Sequence, residues 1–183
     1  MTSVFIGGSR RLTRLDPALR ERVDNIVARG FTILIGDANG ADKCVQKYLA
    51  EKNYANVIVY HTGDDCRNNL GHWKMDSVVP RSSRKDFEFY AAKDLEMTKE
   101  ASYGLMLWDG LSKGTLNNII NLLKEKKPVL VYFAPEKQFI ALNDIRDLKG
   151  ILNKCAKKAI ASFEKHLHLT EVVNVGQPDL NFA

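Results

Sequence analysis

The 183-residue chain has too few cysteines for a stapled scaffold: its three, Cys44, Cys66 and Cys155, are odd in number and stand far apart. That excludes a disulfide framework and a Cys-x-x-Cys redox or zinc motif, and points to a reducing compartment. No apolar run is long enough to span a bilayer. The chain also opens without the pattern of a signal peptide, because Arg10, Arg11 and Arg14 follow a short apolar run instead of preceding a long one. Histidine is scarce as well. His61, and His72 with Asp64, Asp65 and Cys66, match no familiar ligand spacing, so no metal is expected. Ser9 has no identifiable histidine partner, which argues against a serine nucleophile. The expectation is a soluble, cytoplasmic protein with no membrane contact, no metal and no resident cofactor.

What is present is a 45% apolar composition, enough for one domain with an appendage and a substantial core. The formal charge of +5 arises largely between Lys124 and Lys165. Such a lysine-rich stretch attracts anions but also simply solvates long helices. Only Tyr132, Phe133, Phe139 and Phe163 stand among those lysines, few of the interleaved aromatic residues that single-stranded nucleic acid would stack on.

Short apolar runs alternate with amphipathic segments. "SVFIGG" predicts a buried strand ended by Gly7 and Gly8. "DPALRERVDNIVARG" predicts a helix with Asp16 as N-cap, Pro17 at its first position, a stripe of Leu19, Val23, Ile26 and Val27, and Gly30 as terminator. "FTILIG", "VIVY", "YGLMLW" and "PVLVYF" predict four further strands, with helices over "GADKCVQKYLAEK", "DFEFYAAKDLEMTKEA" and "TLNNIINLLKEK". Between them, His61 to Lys85 is polar and aperiodic and is expected to form a mobile loop or a lid that orders over a ligand. After Ala134 a helical extension, Asp144 to His166, is expected with Leu148, Ile151, Leu152, Cys155 and Phe163 partly inward, followed by a tail. The expected division is therefore 1–134 for a ligand-binding domain and 135–183 for the extension.

Apolar strands that alternate with helices imply a parallel sheet covered on both faces. Ligands of such sheets bind outside the carboxyl ends of the strands, where the strand order reverses. Three loops qualify: "GGSRRL", "GDANGAD" and "DGLSKGT". Gly114 and Thr115 begin a helix, so free amides and the positive dipole end suit a phosphate, with Ser112 or Thr115 adding a hydroxyl and Lys113 a charge. Gly7, Gly8 and Ser9 offer a second close backbone approach, and Arg10 can form paired bonds to an anion. Gly40, Ala41 and Asp42 open the second helix, where Asp42 either favours the dipole or holds ligand hydroxyls. Trp73, Phe87, Phe89 and Tyr90 are aromatic residues able to stack on a base or to pack a lid.

The order "GGSRR", "GDANGAD", "KDLEM", "WDGLSKGT" and "KPVLVY" resembles the SLOG superfamily of Rossmann-like nucleotide-binding domains, and most of all its YspA-like branch. The resemblance spans Val4 to Phe133. It implies an α/β fold, a Rossmann-like doubly wound five-stranded parallel sheet, here followed by the C-terminal helical extension. It also implies a nucleotide or nucleotide-derived ligand held by the first and fourth loops. Carried over, Gly8, Ser9 and Arg10 match the first motif, Gly36, Gly40, Ala41 and Asp42 the second, and Asp109, Gly110, Ser112, Gly114 and Thr115 the last. One departure matters. Related lysine-decarboxylase-like (LOG) enzymes, which cleave the base from nucleotides, carry an acid three residues after the loop threonine, where this chain has Asn118. Cleaving an N-glycosidic bond builds positive charge on the sugar, and an amide cannot stabilise it as a carboxylate does. A glycosidase would then need another acid, with Asp94 and Asp109 the first candidates and Asp86 and Glu88 behind them. The expected function is a ligand-sensing module for a nucleotide. A nucleotide N-glycosidase or phosphoribohydrolase is the alternative. Binding of single-stranded nucleic acid, as in the related DprA branch, comes third, and self-association is left open.

Overall fold

The computed structural model describes residues 1–80 and 87–174. The chain is α/β, with a seven-stranded sheet: β1 (Ser3–Gly8), β2 (Thr32–Gly36), β3 (Val57–Thr62), β4 (Lys74–Val78), β5 (Tyr103–Trp108), β6 (Val129–Phe133) and β7 (Gln138–Leu142). Their spatial order is β4-β3-β2-β1-β5-β6-β7. The first six are mutually parallel, and β7 runs antiparallel to β6. The helices are α1 (Pro17–Ala28), α2 (Ala41–Glu51), α3 (Phe87–Glu100), α4 (Lys113–Lys124), α5 (Leu148–Leu152), α6 (Lys157–Leu167) and α7 (Leu169–Asn174). None of them is long and apolar enough to cross a membrane.

Strand residues alternate between two apolar cores, as the period of a strand dictates. Val4, Ile6, Ile33, Ile35, Leu105 and Leu107 face one side, where Leu19 and Val23 of α1 and Val45 and Leu49 of α2 cover them. Phe5, Leu34, Met106, Trp108, Val131 and Phe133 face the other, covered by Met97 of α3, by α4 and by the C-terminal helices. The local signals behave as the chemistry requires. Asp16 accepts the Leu19 amide at 2.9 Å, Pro17 opens α1, and Gly30 follows the helix at φ +67°.

Two strands depart from the expected five. Residues 74–78, expected in a mobile loop or lid, form β4 in parallel register with β3, from Ile58 opposite Lys74 to Thr62 opposite Val78. "KMDSV" leaves Met75 half exposed and lacks apolar alternation, because an edge strand is held mainly by backbone pairing. The preceding turn is also fixed, with Asn69 accepting the Trp73 amide at 3.0 Å and donating to the Trp73 carbonyl at 2.9 Å. Residues 81–85 of the expected lid lie outside the described residues. At the other edge, the segment expected to begin a helical extension first supplies β7 to the sheet. The helical extension expected over Asp144 to His166 consists of a 3-10 turn, Ile145–Asp147, and helices α5 and α6. Leu148, Ile151, Leu152 and Phe163 are buried, and Phe163 packs on Trp108 with ring centroids 5.9 Å apart. The C-terminal helices thus support the strand that feeds the glycine loop.

Candidate functional site

The chain builds outward from β1 through β2 and β3 to β4, then returns to place β5 on the other side of β1. Loops leaving β1 and β5 therefore diverge at their carboxyl ends and leave a crevice. It holds a cleft of about 530 Å³. Gly7, Gly8, Ser9, Arg10, Asp42, Asp94 and Asp109 line it, as do Ser112, Lys113, Gly114 and Thr115. Residues 106 positions apart in sequence thus share one wall. Gly36, Gly40, Ala41 and Gly110 are not among the lining residues; Gly36 and Gly40 bear on the cleft through the neighbours they leave room for.

Gly40 shows why. Its φ is +87°, and a Cβ placed there would lie 2.3 Å from the Arg10 carbonyl oxygen, so the first two loops interlock only around glycine. The Ala41 amide then donates to the Ser9 carbonyl at 3.1 Å. Gly36 serves a different contact: a Cβ there would stand 2.6 Å from both Asp42 Oδ2 and Lys93 Nζ. It clears the space in which these two charged groups meet above the sheet.

At one end of the cleft lies the start of α4. Ser112 is its N-cap and accepts the Thr115 amide at 3.3 Å and the Thr115 hydroxyl at 3.0 Å. The amides of Lys113 and Gly114 occupy the first two helical positions, which have no intrahelical acceptor. Trp108 donates its indole N–H to the Ser112 carbonyl at 3.0 Å, which anchors the cap to the core. Asp109 organises the loop. One of its oxygens accepts the amides of Leu111 at 3.0 Å and Ser112 at 2.8 Å, and the other accepts the Ser9 hydroxyl at 2.8 Å. That carboxylate ties the first loop to the fourth.

At the other end the floor is a buried polar chain. Lys93, 4% exposed, donates to Asp94 Oδ1 at 2.7 Å, and Asn118 Nδ2 donates to Asp94 Oδ2 at 3.0 Å. Asp42 Oδ2 accepts the Ala38 amide at 3.3 Å. Burial pushes the Asp42 carboxyl up to about 6; Lys93 opposes the rise, and Asp94 and Asp37 add to it. Burial alone would weaken the charged form of Lys93, but Asp94 and Asp42 outweigh it and hold the ammonium above its ordinary range.

Two further residues, Arg67 and Tyr90, reach the cleft from outside the three glycine loops. Arg67, from the polar segment after β3, forks onto Asp37 through Nε at 2.8 Å and Nη2 at 2.5 Å, and its own amide adds a third bond at 3.1 Å. Burial works to raise the Asp37 pKa, yet these bonds bring it below the ordinary carboxylate value. Two guanidinium groups approach the Tyr90 ring, Arg67 at 5.1 Å and Arg10 at 5.6 Å from its centroid. Tyr90 and Arg67 both line the cleft; of the aromatic residues named from the sequence, Trp73 and Phe89 are not among its lining residues. Asp37 was visible inside "GDANGAD", but nothing local marks its partner 30 residues away.

Chemically, the cleft has donors and cations around the start of α4 and along its rim, and carboxylates with an amide on its floor. Among the described residues, no group of three or more His, Cys, Asp or Glu side chains is arranged to hold a metal ion. Compared with protein-family models and with curated protein sequences, the chain matches none.

Proposed function

We propose that the protein binds a nucleotide or a nucleotide-derived molecule in this cleft and acts as a ligand-sensing module. The observation that carries the reading is the convergence of the α4 N-terminus, Arg10 and Lys113 on one cleft between β1 and β5. Backbone amides at a helix start, aided by the dipole and two cations, suit a phosphate. The Rossmann-like placement of the crevice and the resemblance of its loops to the SLOG superfamily support the same ligand class.

Sensing without turnover is favoured by how the acids are used. Asp109 is occupied by the Ser9 hydroxyl and two loop amides, as a turn-forming residue would be. Asn118 stands where the nucleotide-cleaving enzymes of the superfamily it resembles carry an acid, and is itself bonded to Asp94. A second reading, N-glycosidic cleavage, rests on Asp94 alone, whose side chain is 17% exposed and lines the cleft. Only a carboxylate so placed could stabilise positive charge on a sugar.

The test is a thermal-shift screen of nucleosides and their mono-, di- and triphosphates, followed by chromatography of each hit after long incubation. Expected are stabilisation by phosphorylated nucleosides and no released base. Arg10→Ala and Lys113→Ala should each weaken binding by about 1 to 3 kcal/mol, the scale of a charge-assisted hydrogen bond. Unchanged affinity in both would remove the phosphate site from these loops. Released base that disappears in Asp94→Asn would establish the enzyme reading in place of the sensor.

A further inference from the structure

Asn118 is 6% exposed, yet its side chain lines the cleft. Its Nδ2 is committed to Asp94, which decides which end of the amide is left over. That end is Oδ1, shielded from solvent and without any hydrogen-bond partner. A buried amide carbonyl with no donor is costly and uncommon in a folded protein. Beside it stands the Asp94 carboxylate, which accepts from Lys93 and Asn118 and retains further lone-pair directions. On the floor, Asn118 Oδ1 therefore lacks a donor and the neighbouring Asp94 carboxylate can accept more than the two it has, while the start of α4 offers donors and cations.

We infer that Asp94 and Asn118 form an acceptor pair for the hydroxyls of a ribose, so that the cleft selects ribonucleotides over their 2′-deoxy counterparts. The inference rests on the nucleotide reading above and specifies the sugar. Spacing selects the sugar over the base. Gly114 and Asn118 lie on one face of α4, a single turn of about 6 Å apart along the axis. In a nucleoside 5′-phosphate the ribose hydroxyls are a few bonds from the phosphate, whereas the amino groups of the bases lie beyond the sugar. The last torsion of an asparagine side chain is broad, so a small rotation turns Oδ1 toward a hydroxyl arriving from the cleft. A site built to bond a hydroxyl discriminates strongly against the analogue that lacks it, because its acceptor is then left buried and unpaired.

The experiment is calorimetric titration of the four common bases as nucleoside 5′-monophosphates, each in its ribo and 2′-deoxy form, into the wild-type protein and Asn118→Leu. For the base that binds best, the ribo form should bind about 10-fold or more tightly than the deoxy form, as expected for a hydrogen bond to a charged or buried acceptor. In Asn118→Leu that ratio should fall toward one while binding of the phosphate persists. Equal affinities of the matched forms in the wild type would overturn the inference and leave the nucleotide reading standing. A ratio unchanged in Asn118→Leu would overturn the role of Asn118. If none of the monophosphates binds, the inference and the reading beneath it both fall. The wild-type comparison decides the matter even where Asn118→Leu fails to fold.

Discussion

Asp42 provides a quantitative test of the buried floor. Its carboxyl is 6% exposed, pressed against Lys93 in the space that Gly36 leaves open, and burial raises its pKa from 3.8 to about 6. Between these two values the folded protein holds a proton that the unfolded chain has released. Stability must therefore fall as pH rises from about 4 to about 6 and then level off. At 1.36 kcal/mol per pKa unit, a rise of about 2 units corresponds to roughly 3 kcal/mol. Its neighbours act in other windows. Asp37 is shifted downward, so its contribution is present above the ordinary carboxylate pKa and is lost only on acidification through its lowered value. Lys93 is shifted upward, so its contribution is complete below about 10 and is lost as pH rises through its folded value. The perturbation is Asp42→Asn, which preserves shape and can still accept the Ala38 amide. Urea denaturation of both proteins from about pH 4 to pH 8 gives the difference in stability at each pH. Loss of a charge beside Lys93 adds an offset, but Lys93 stays protonated across this range and the offset does not vary. The variant should gain on the wild type by about 2 to 3 kcal/mol between pH 4 and pH 7, with no change above. A difference that stays flat across the range would refute the burial argument for this carboxyl.

Two glycines in the loops separate protein packing from ligand contact. Gly40→Ala forces a Cβ against the Arg10 backbone at φ +87°, and should cost more than about 2 kcal/mol by thermal or urea denaturation. Gly114→Ala meets nothing within 4 Å, and alanine is the better helix former, so stability should hold or rise by up to about 1 kcal/mol. Nucleotide affinity should nonetheless drop in Gly114→Ala if phosphate approaches the backbone there, and calorimetry showing wild-type affinity would place the phosphate elsewhere.

How much could be read beforehand depended on whether a signal was local. The helix opened by Asp16 and Pro17 was legible because cap, first position and apolar stripe lie within a few residues. The strands buried on both faces were legible because "FTILIG" and "YGLMLW" have few alternatives to the core. The edge strands were not. β4 has exposed Lys74, Met75 and Ser77, and β7 exposes Gln138 and Ala141, so neither shows the continuous apolar run that identifies a central strand. Their pairing is decided by a neighbouring backbone edge, which composition does not encode. The same holds for the floor of the cleft, where Asn118 meets Asp94 across 24 residues and Arg67 meets Asp37 across 30.

The glycine loops meet at one cleft for different physical reasons. In the sequence, "GGSRRL", "GDANGAD" and "DGLSKGT" look equivalent, each a small-residue turn after an apolar strand. In the fold their glycines answer to different neighbours. Gly40 answers to the Arg10 backbone, Gly36 to Asp42 and Lys93, and Gly114 to nothing within 4 Å beyond its chain neighbours and the backbone of its own helix. The first two are required to assemble the cleft, since a side chain at either would drive apart groups that the cleft depends on. Gly114 is not required in that way, yet it stands at the second position of α4, where an unbonded amide is available. Because a methyl group there would meet no neighbouring element, Gly114→Ala tests for an anion at the backbone without disturbing the cleft. A phosphate at the start of α4, as proposed, is supported more by the open space around this one residue than by the number of glycines in the three loops.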